Sequence, residues 1–93
     1  MFTVYSMTNC PHCVGAKELL KSKGFKIRVK EAGVDFQREE LIELVGPVRT
    51  LPQIILEEDG IAMHIGGFSE LQCYFAGIGE KPRVLTHLPK AAI

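Results

Sequence analysis

The sequence lacks net charge and long apolar runs. Its 93 residues carry 11 lysines and arginines against 11 aspartates and glutamates, so it lacks the positive charge that non-specific nucleic-acid binding needs. No apolar run approaches the roughly 20 residues that span a membrane. A hydrophobic content of 46% is too high for a disordered chain. We therefore expect one domain with a modest core, without a nucleic-acid or membrane partner.

Cysteine is also scarce, with three residues in the chain. Two of them, Cys10 and Cys13, form a Cys-x-x-Cys pair in the stretch TNCPHCVGAK. The preceding stretch, MFTVYS, contains no basic segment followed by an apolar one, so we expect a cytoplasmic protein. Because thiols are kept reduced there, the pair is expected to be redox-active or metal-binding rather than a static disulfide.

The first half of the chain predicts a strand, a helix and a second strand. FTVYS is short and rich in β-branched and aromatic residues, which is typical of a strand. Pro11 suits a first helical turn, and apolar residues at helical spacing extend that helix to Lys23. FKIRVKEA alternates apolar and polar residues, as a half-buried strand does. Cys10 is thus expected where the first strand gives way to the first helix.

The second half predicts a helix, a hairpin and a last helix. We expect Asp35 to cap a helix that runs to Val45, and PQIILE and IAMHI to form the two hairpin strands. Ser69 and Gln72 have the spacing of a capping box for a helix over ELQCYFAG. The order β-α-β-α-β-β-α gives an α/β domain over residues 1–77 with a small mixed sheet. Residues 78–93 form a tail whose structure the pattern does not indicate.

The start of a helix suits thiol chemistry. Unpaired N–H groups and the positive end of the helix dipole favour a thiolate at Cys10, whereas Cys13 lies one turn further in and is shielded. We therefore expect Cys10 to attack disulfides and Cys13 to resolve them. His12 would stabilise the thiolate, as an imidazolium or as a hydrogen-bond donor, and so make the pair more oxidising. The alternative is that His12 is an exposed residue with little effect.

The other histidines and the third cysteine give no clear metal site. Zinc usually takes four ligands, and the sequence has no second Cys-x-x-Cys or His-x₃-His, so no metal is expected. His64 and His87 are interpreted as surface residues. Cys73 is expected to be a half-exposed bystander on the last helix, and a regulatory or intermolecular disulfide is the alternative.

Three motifs in order, CPHCVGAKELL, TLPQIIL and HIGGF, resemble those of the dithiol glutaredoxins. The resemblance covers residues 1–77, and the short glutaredoxins of T-even-like bacteriophages look most similar. It implies the thioredoxin fold, an α/β arrangement of a four-stranded mixed sheet flanked by three helices. It also implies a thiol–disulfide oxidoreductase that reduces protein disulfides or glutathione mixed disulfides and is recharged by glutathione. Ribonucleotide reductase is the implied protein partner, and we expect a monomer.

The resemblance also implies a glutathione site. In the family the proline that corresponds to Pro52 is cis, and the backbone of the preceding residue, here Leu51, pairs with the cysteinyl part of glutathione. The implied site for the γ-glutamyl end comprises Gly66, Gly67, Phe68 and Ser69. Glycines let a backbone approach closely, and N–H groups that open a helix can hold a carboxylate. The alternative is a strand that simply ends at a helix cap.

The sequence departs from the family at two positions. Met7 stands where most glutaredoxins carry a lysine or arginine that helps to bind the glycyl carboxylate, and His12 replaces the usual tyrosine. Arg49 is a candidate for the missing charge, or else a solvated arginine. A thioredoxin-like donor recharged by thioredoxin reductase therefore stays open. Three other interpretations also stay open: a metal-binding module, an iron–sulfur carrier, and an interaction domain with incidental cysteines. Pro11 disfavours the iron–sulfur carrier, because cluster-carrying glutaredoxins usually lack a proline after the first cysteine.

Overall fold

The computed structural model describes residues 1–79 and 81–85. The first strand is where the sequence predicts it, and α1 ends one residue before the predicted Lys23. His87 and residues 86–93 of the predicted tail lie outside the described residues. The elements in chain order are β1 (Phe2–Ser6), α1 (Pro11–Ser22), β2 (Ile27–Glu31), α2 (Arg38–Val45), β3 (Gln53–Glu58), β4 (Ile61–Gly66), α3 (Phe68–Ala76) and β5 (Arg83–Val84).

The strands form one mixed sheet in the order β2-β1-β3-β4-β5. β1 and β2 are parallel neighbours, as a strand–helix–strand unit requires, and the other neighbours are antiparallel. The mixed sheet and the three helices agree with the sequence prediction within the described residues. The predicted count of four strands is wrong, because residues 83–84 add a fifth strand that is too short to show a period.

The two faces of the sheet carry separate apolar clusters. Val4 and Ile54 point to one face, where they pack with Leu20 of α1 and Leu71 of α3. Tyr5, Ile55 and residues of α2 form the cluster on the other face. All five residues of β1 are buried, since β1 lies inside the sheet and both of its faces are covered. Each large apolar side chain buried in this way contributes roughly 1.5–3 kcal/mol of transfer free energy.

The short strand β5 covers the outer edge of β4. Its two residues pair with Met63 and His64. The guanidinium of Arg83 donates a hydrogen bond to the carbonyl oxygen of Val45, at the last turn of α2. Because carbonyl groups at a helix C-terminus lack helical partners and carry partial negative charge, a cation is favourable there. This contact ties β5 to α2 as well as to the sheet.

Two predicted helix starts are wrong. α2 begins at Arg38, because the Asp35 carboxylate accepts a hydrogen bond from the backbone N–H of Glu31 at 2.8 Å and so closes a turn before the helix. α3 begins at Phe68, which places Ser69 inside the first turn rather than at the cap. The carboxylate of Glu70 instead accepts the N–H of Gly67 at 2.7 Å. Neither α2 nor any other described helix has the length and apolar character to cross a bilayer.

Candidate active site

The Cys-x-x-Cys pair lies at the junction of β1 and α1. Asn9, with φ of 55°, turns the chain between the strand and the helix. Cys10 is the N-cap of α1 with extended backbone, and its Sγ accepts a hydrogen bond from the Cys13 N–H at 3.3 Å. The sulfur therefore takes the position that Ser or Asp oxygens usually occupy, where an anion is stabilised.

The loop before β3 lies against Cys10. The peptide bond between Leu51 and Pro52 is cis. The Cys10 thiol donates a hydrogen bond to the carbonyl oxygen of Leu51 at 3.5 Å. Residues 41 positions apart in the sequence thus meet at one sulfur atom.

The two cysteines have different surroundings. Cys13 is fully buried, whereas 8% of Cys10 is exposed. Burial, followed by the hydrogen bond with Cys10, raises the pKa of the Cys13 thiol to about 11, and a backbone hydrogen bond at Met7 and the charge of Lys17 oppose this rise. At neutral pH Cys13 is therefore a thiol that is inaccessible to solvent. Both are free thiols in the structure.

Phe68 connects the Cys-x-x-Cys segment to the HIGGF motif. Its ring lies 6.1 Å from that of exposed His12, measured between centroids, with a tilt of 37°. A Cβ at Gly15 would come within 3.0 Å of the Phe68 ring, so the absence of a side chain there lets α3 approach α1. Pro11 occupies the first position of α1.

Gly66 and Gly67 let β4, α3 and the Pro52 loop come close together. Gly66 has φ of +121°, and a Cβ there would lie 2.8 Å from Cγ of Glu70. A Cβ at Gly67 would lie 3.4 Å from the Pro52 carbonyl oxygen. Sequence reasoning missed Glu70, although its spacing of three residues from Gly67 is that of a capping box. Ser69 is exposed beside it.

A cleft of about 360 Å³ opens beside the Leu51 loop. We call it the Leu51 cleft. Arg49 lies in its lining, as does Arg38 from the first position of α2, which no motif in the sequence indicates as a site residue. The remaining lining residues are Met7, Ala32, Phe36, Leu41, Val48, Thr50 and Leu51. The cleft is thus mainly apolar and carries two cationic side chains.

The other singled-out residues lie away from the cysteine pair. Cys73 is half-buried on α3 and is a free thiol. His64 is half-buried rather than a surface residue, because its Nε2 lies 2.7 Å from Oε1 of Gln53 and β5 covers its strand. Burial and the charge of Arg83 lower the pKa of His64. No cluster of three or more His, Cys, Asp or Glu side chains suited to a metal occurs in residues 1–79 and 81–85.

A mixed sheet, a Cys-x-x-Cys pair at a helix N-cap and a facing cis-proline define a dithiol protein with the thioredoxin fold. The family model for glutaredoxin matches residues 2–61. Glutaredoxin 3 of Escherichia coli strain K12 is 38% identical over 82 residues, which cover 85% of this chain and 90% of that protein. Glutaredoxin 1 of Rickettsia prowazekii is 31% identical over 90 residues, which cover 94% and 88%.

Solved glutaredoxin structures share the fold. Glutaredoxin 1 of Francisella tularensis, complexed with cacodylate, superposes with a TM-score of 0.64 at 25% identity over 82% of this chain and 92% of that one. Buckwheat glutaredoxin in complex with glutathione gives a TM-score of 0.59 at 25% identity over 82% and 69%. The chain belongs to the glutaredoxin family and is a thiol–disulfide oxidoreductase with the thioredoxin fold. The likeness to the bacteriophage subclass stays a prediction.

The contact at Gly66 leads to a prediction about stability. Gly60→Ala places a side chain at φ of +77° in open space, and we expect it to lower the free energy of unfolding by about 1–2 kcal/mol. Gly66→Ala places a side chain at the more strained φ of +121° and also makes it overlap with Cβ and Cγ of Glu70, so it should cost at least about 1 kcal/mol more. Urea denaturation of both variants measures the difference. Equal losses would contradict the proposed close packing.

The buried Cys13 thiol leads to a prediction about pH. Its pKa rises from 9.0 to about 11 on folding, so above pH 9 the unfolded state releases its proton first. The contribution of the Cys13 thiol to the free energy of unfolding is therefore complete below pH 9 and is lost as the pH rises through 11. We expect reduced Cys13→Ala to lose less unfolding free energy than wild type between pH 9 and 11, by urea denaturation.

The control for that experiment is Cys73→Ala, which also removes one thiol but leaves the pair intact. Burial raises the pKa of Tyr5 to about 12, and this contribution is common to all three proteins. A Cys13→Ala profile parallel to that of wild type would show that the thiol does not carry the pH dependence.

Proposed function

We propose that this glutaredoxin reduces protein disulfides and glutathione mixed disulfides, with glutathione as the electron source. The observation that carries the proposal is the position of the Cys10 sulfur. It accepts the Cys13 N–H at the start of α1 and lies beside the Leu51 carbonyl oxygen. A thiolate there keeps the hydrogen bond from the Cys13 N–H and faces the positive end of a helix dipole, although it gives up the hydrogen bond that the thiol donates to Leu51. We propose Cys10 as the nucleophile.

The first half of the reaction uses both cysteines. The Cys10 thiolate attacks one sulfur of the substrate disulfide, a Cys10–substrate disulfide forms, and the other substrate sulfur leaves as a thiolate. That thiolate takes the proton of the Cys13 thiol. The Cys13 thiolate then attacks Cys10 Sγ and releases the second substrate sulfur, which takes a proton from water. The substrate gains two electrons, and the protein keeps a Cys10–Cys13 disulfide.

Two glutathione molecules restore the dithiol. The first attacks Cys10, which is partly exposed whereas Cys13 is not, and it releases the Cys13 thiolate. Cys13 takes up a proton, consistent with the raised pKa of its buried thiol. The second glutathione attacks the bound glutathione sulfur. This attack releases glutathione disulfide and leaves the Cys10 thiolate, so the two electrons come from two glutathione thiols.

The Leu51 cleft is the proposed site for glutathione. The backbone of Leu51, before cis-Pro52, would pair with the cysteinyl part of the tripeptide, and Arg49 would attract its glycyl carboxylate. Arg38 supplies a second positive charge in the same cleft. The complex of buckwheat glutaredoxin with glutathione supports the choice of ligand.

The γ-glutamyl end is assigned to the start of α3. Phe68 and Ser69 open this helix, so their N–H groups lack helical partners and are suited to a carboxylate. The Gly67 N–H already donates to Glu70. Gly66 and Gly67 bring this turn next to the Pro52 loop. We therefore propose Phe68 and Ser69 as the carboxylate donors.

The proposal extends to a cytoplasmic location and to ribonucleotide reductase as the protein that receives the electrons. The resemblance to family members with that role supports it. Met7 in place of a cation in the Leu51 cleft favours a second candidate, recharging by thioredoxin reductase. Deoxyribonucleotide synthesis by a purified reductase, with glutathione or with thioredoxin reductase as the electron source, tests both. If neither electron source supports synthesis, the role with ribonucleotide reductase is rejected.

Cys13→Ser tests the order of attack. Without the resolving thiol, we expect incubation with glutathione disulfide to leave one glutathione on Cys10, because the mixed disulfide cannot pass to residue 13. Intact-mass and peptide mass spectrometry locate the adduct. Cys10→Ser should form no adduct at residue 13, since Cys13 is inaccessible. Cys73→Ser in both backgrounds controls for the third thiol, and an adduct at Cys13 would reject the assignment.

His12→Tyr tests the tuning of the pair. If His12 donates to the Cys10 thiolate, it stabilises the reduced form and makes the pair a stronger oxidant. We expect wild type to have a potential in the glutaredoxin range of about −200 to −230 mV. The variant should have a more negative potential. Equilibration with glutathione buffers, read by thiol trapping, measures both, and an unchanged potential would assign His12 no role.

A further inference from the structure

A second cleft lies on the other side of Met7. It has a volume of about 520 Å³ and is bounded by α1, β2 and the loop between β1 and α1. We call it the Val29 cleft. Cys10 and Pro11 line one end, and Val14 and Val29 line the walls. The proposed nucleophile is therefore part of this cleft as well as a neighbour of the Leu51 loop.

The walls of the Val29 cleft expose apolar side chains to water. Met7 is 47% exposed, Val14 is 50% exposed and Val29 is 40% exposed. Single exposed apolar residues are ordinary, but three around one cleft beside a reactive thiol are typical of a binding surface. Burying these side chains against a partner would remove apolar surface from water and so favour binding.

Met7 joins the two clefts into one surface. It lines both the Leu51 cleft and the Val29 cleft. Methionine is unbranched and flexible, which suits a surface that accommodates different apolar side chains. Lys17 and Glu31, of opposite charge, are the charged residues that line the Val29 cleft. Ser6, Thr8 and Asn9 complete the polar part of the lining. Because the two charges are opposite, the cleft favours a segment without net charge, and its exposed valines and Met7 favour apolar side chains.

We propose that the Val29 cleft binds the polypeptide part of a protein disulfide substrate whose residues next to the cysteine are apolar. This inference rests on the proposed function. An extended tripeptide spans about 10 Å, so glutathione that lies along the Leu51 loop with its sulfur at Cys10 has no further residues to place on Val14 and Val29. A protein chain whose cysteine reaches Cys10 continues beyond that point, across Met7 and onto Val14 and Val29. The cleft thus distinguishes protein disulfides from glutathione mixed disulfides.

Glutamine variants of the two valines test the proposal. Glutamine is polar but neutral, so Val14→Gln and Val29→Gln remove apolar contact without adding charge near Cys10. Val84→Gln is the matched control, since Val84 is 62% exposed and lies on the opposite edge strand. The assays use a synthetic peptide with an internal disulfide and leucines beside each cysteine, the same peptide with serines, and the mixed disulfide of glutathione with 2-mercaptoethanol.

We expect the double variant, which combines Val14→Gln and Val29→Gln, to raise KM for the leucine peptide about tenfold. Its kcat, and its KM for the small mixed disulfide of glutathione with 2-mercaptoethanol, should change less than twofold. Wild type should favour the leucine peptide over the serine peptide, and the double variant should lose this preference. Val84→Gln should behave as wild type. Thermal unfolding of each variant checks that the fold is intact.

Two results would overturn the inference. One is equal loss of activity on the peptides and the small mixed disulfide, which would place the valines in general catalysis or folding. The other is an unchanged KM for the leucine peptide in the folded double variant. Failure of wild type to reduce the small mixed disulfide with glutathione would instead reject the proposed function. The two failures are therefore distinguishable.

Discussion

The arrangement of the three central strands is the constraint on which the site depends. β3 is antiparallel to β1, with Tyr5 opposite Gln53, so the start of β3 lies beside the end of β1. β4 is antiparallel to β3, and its last residue, Gly66, lies opposite Ile54. The loops that follow β1, precede β3 and follow β4 therefore emerge at the same end of the sheet. Side chains and backbone atoms far apart in sequence meet there.

At this end of the sheet, Cys10 and Cys13 lie close together in different electrostatic environments. Cys10 lies at the start of a helix, where N–H groups favour an anion, whereas Cys13 lies in the core, where burial raises the pKa of its thiol to about 11. Two chemically identical thiols three positions apart are thus made different by one turn of helix. The difference supports the proposed roles, with Cys10 as the attacking thiol and Cys13 as the thiol that takes up a proton.

The same end of the sheet carries two different surfaces near the Cys10 sulfur, the Leu51 cleft and the Val29 cleft. The Leu51 cleft carries two arginines and the Val29 cleft exposes valines, while Met7 lies between them. In the proposed reaction, a charged tripeptide and an apolar protein segment use different surroundings but the same sulfur. A methionine at the shared position is compatible with both, because its side chain is flexible and uncharged.

The sequence alone was enough to predict the element order as far as α3, the position of Cys10 at a helix start and the family, because these depend on local pattern and on short motifs with fixed spacing. It misplaced the starts of α2 and α3 and missed β5, since Asp35, Glu70 and Arg83 each act through a partner that local periodicity does not reveal. Folding brings Arg38 and Arg49 into the lining of one cleft and Val14 and Val29 into the lining of another, which no local pattern predicts. These pairs come from different elements, and strand order and helix packing bring them together.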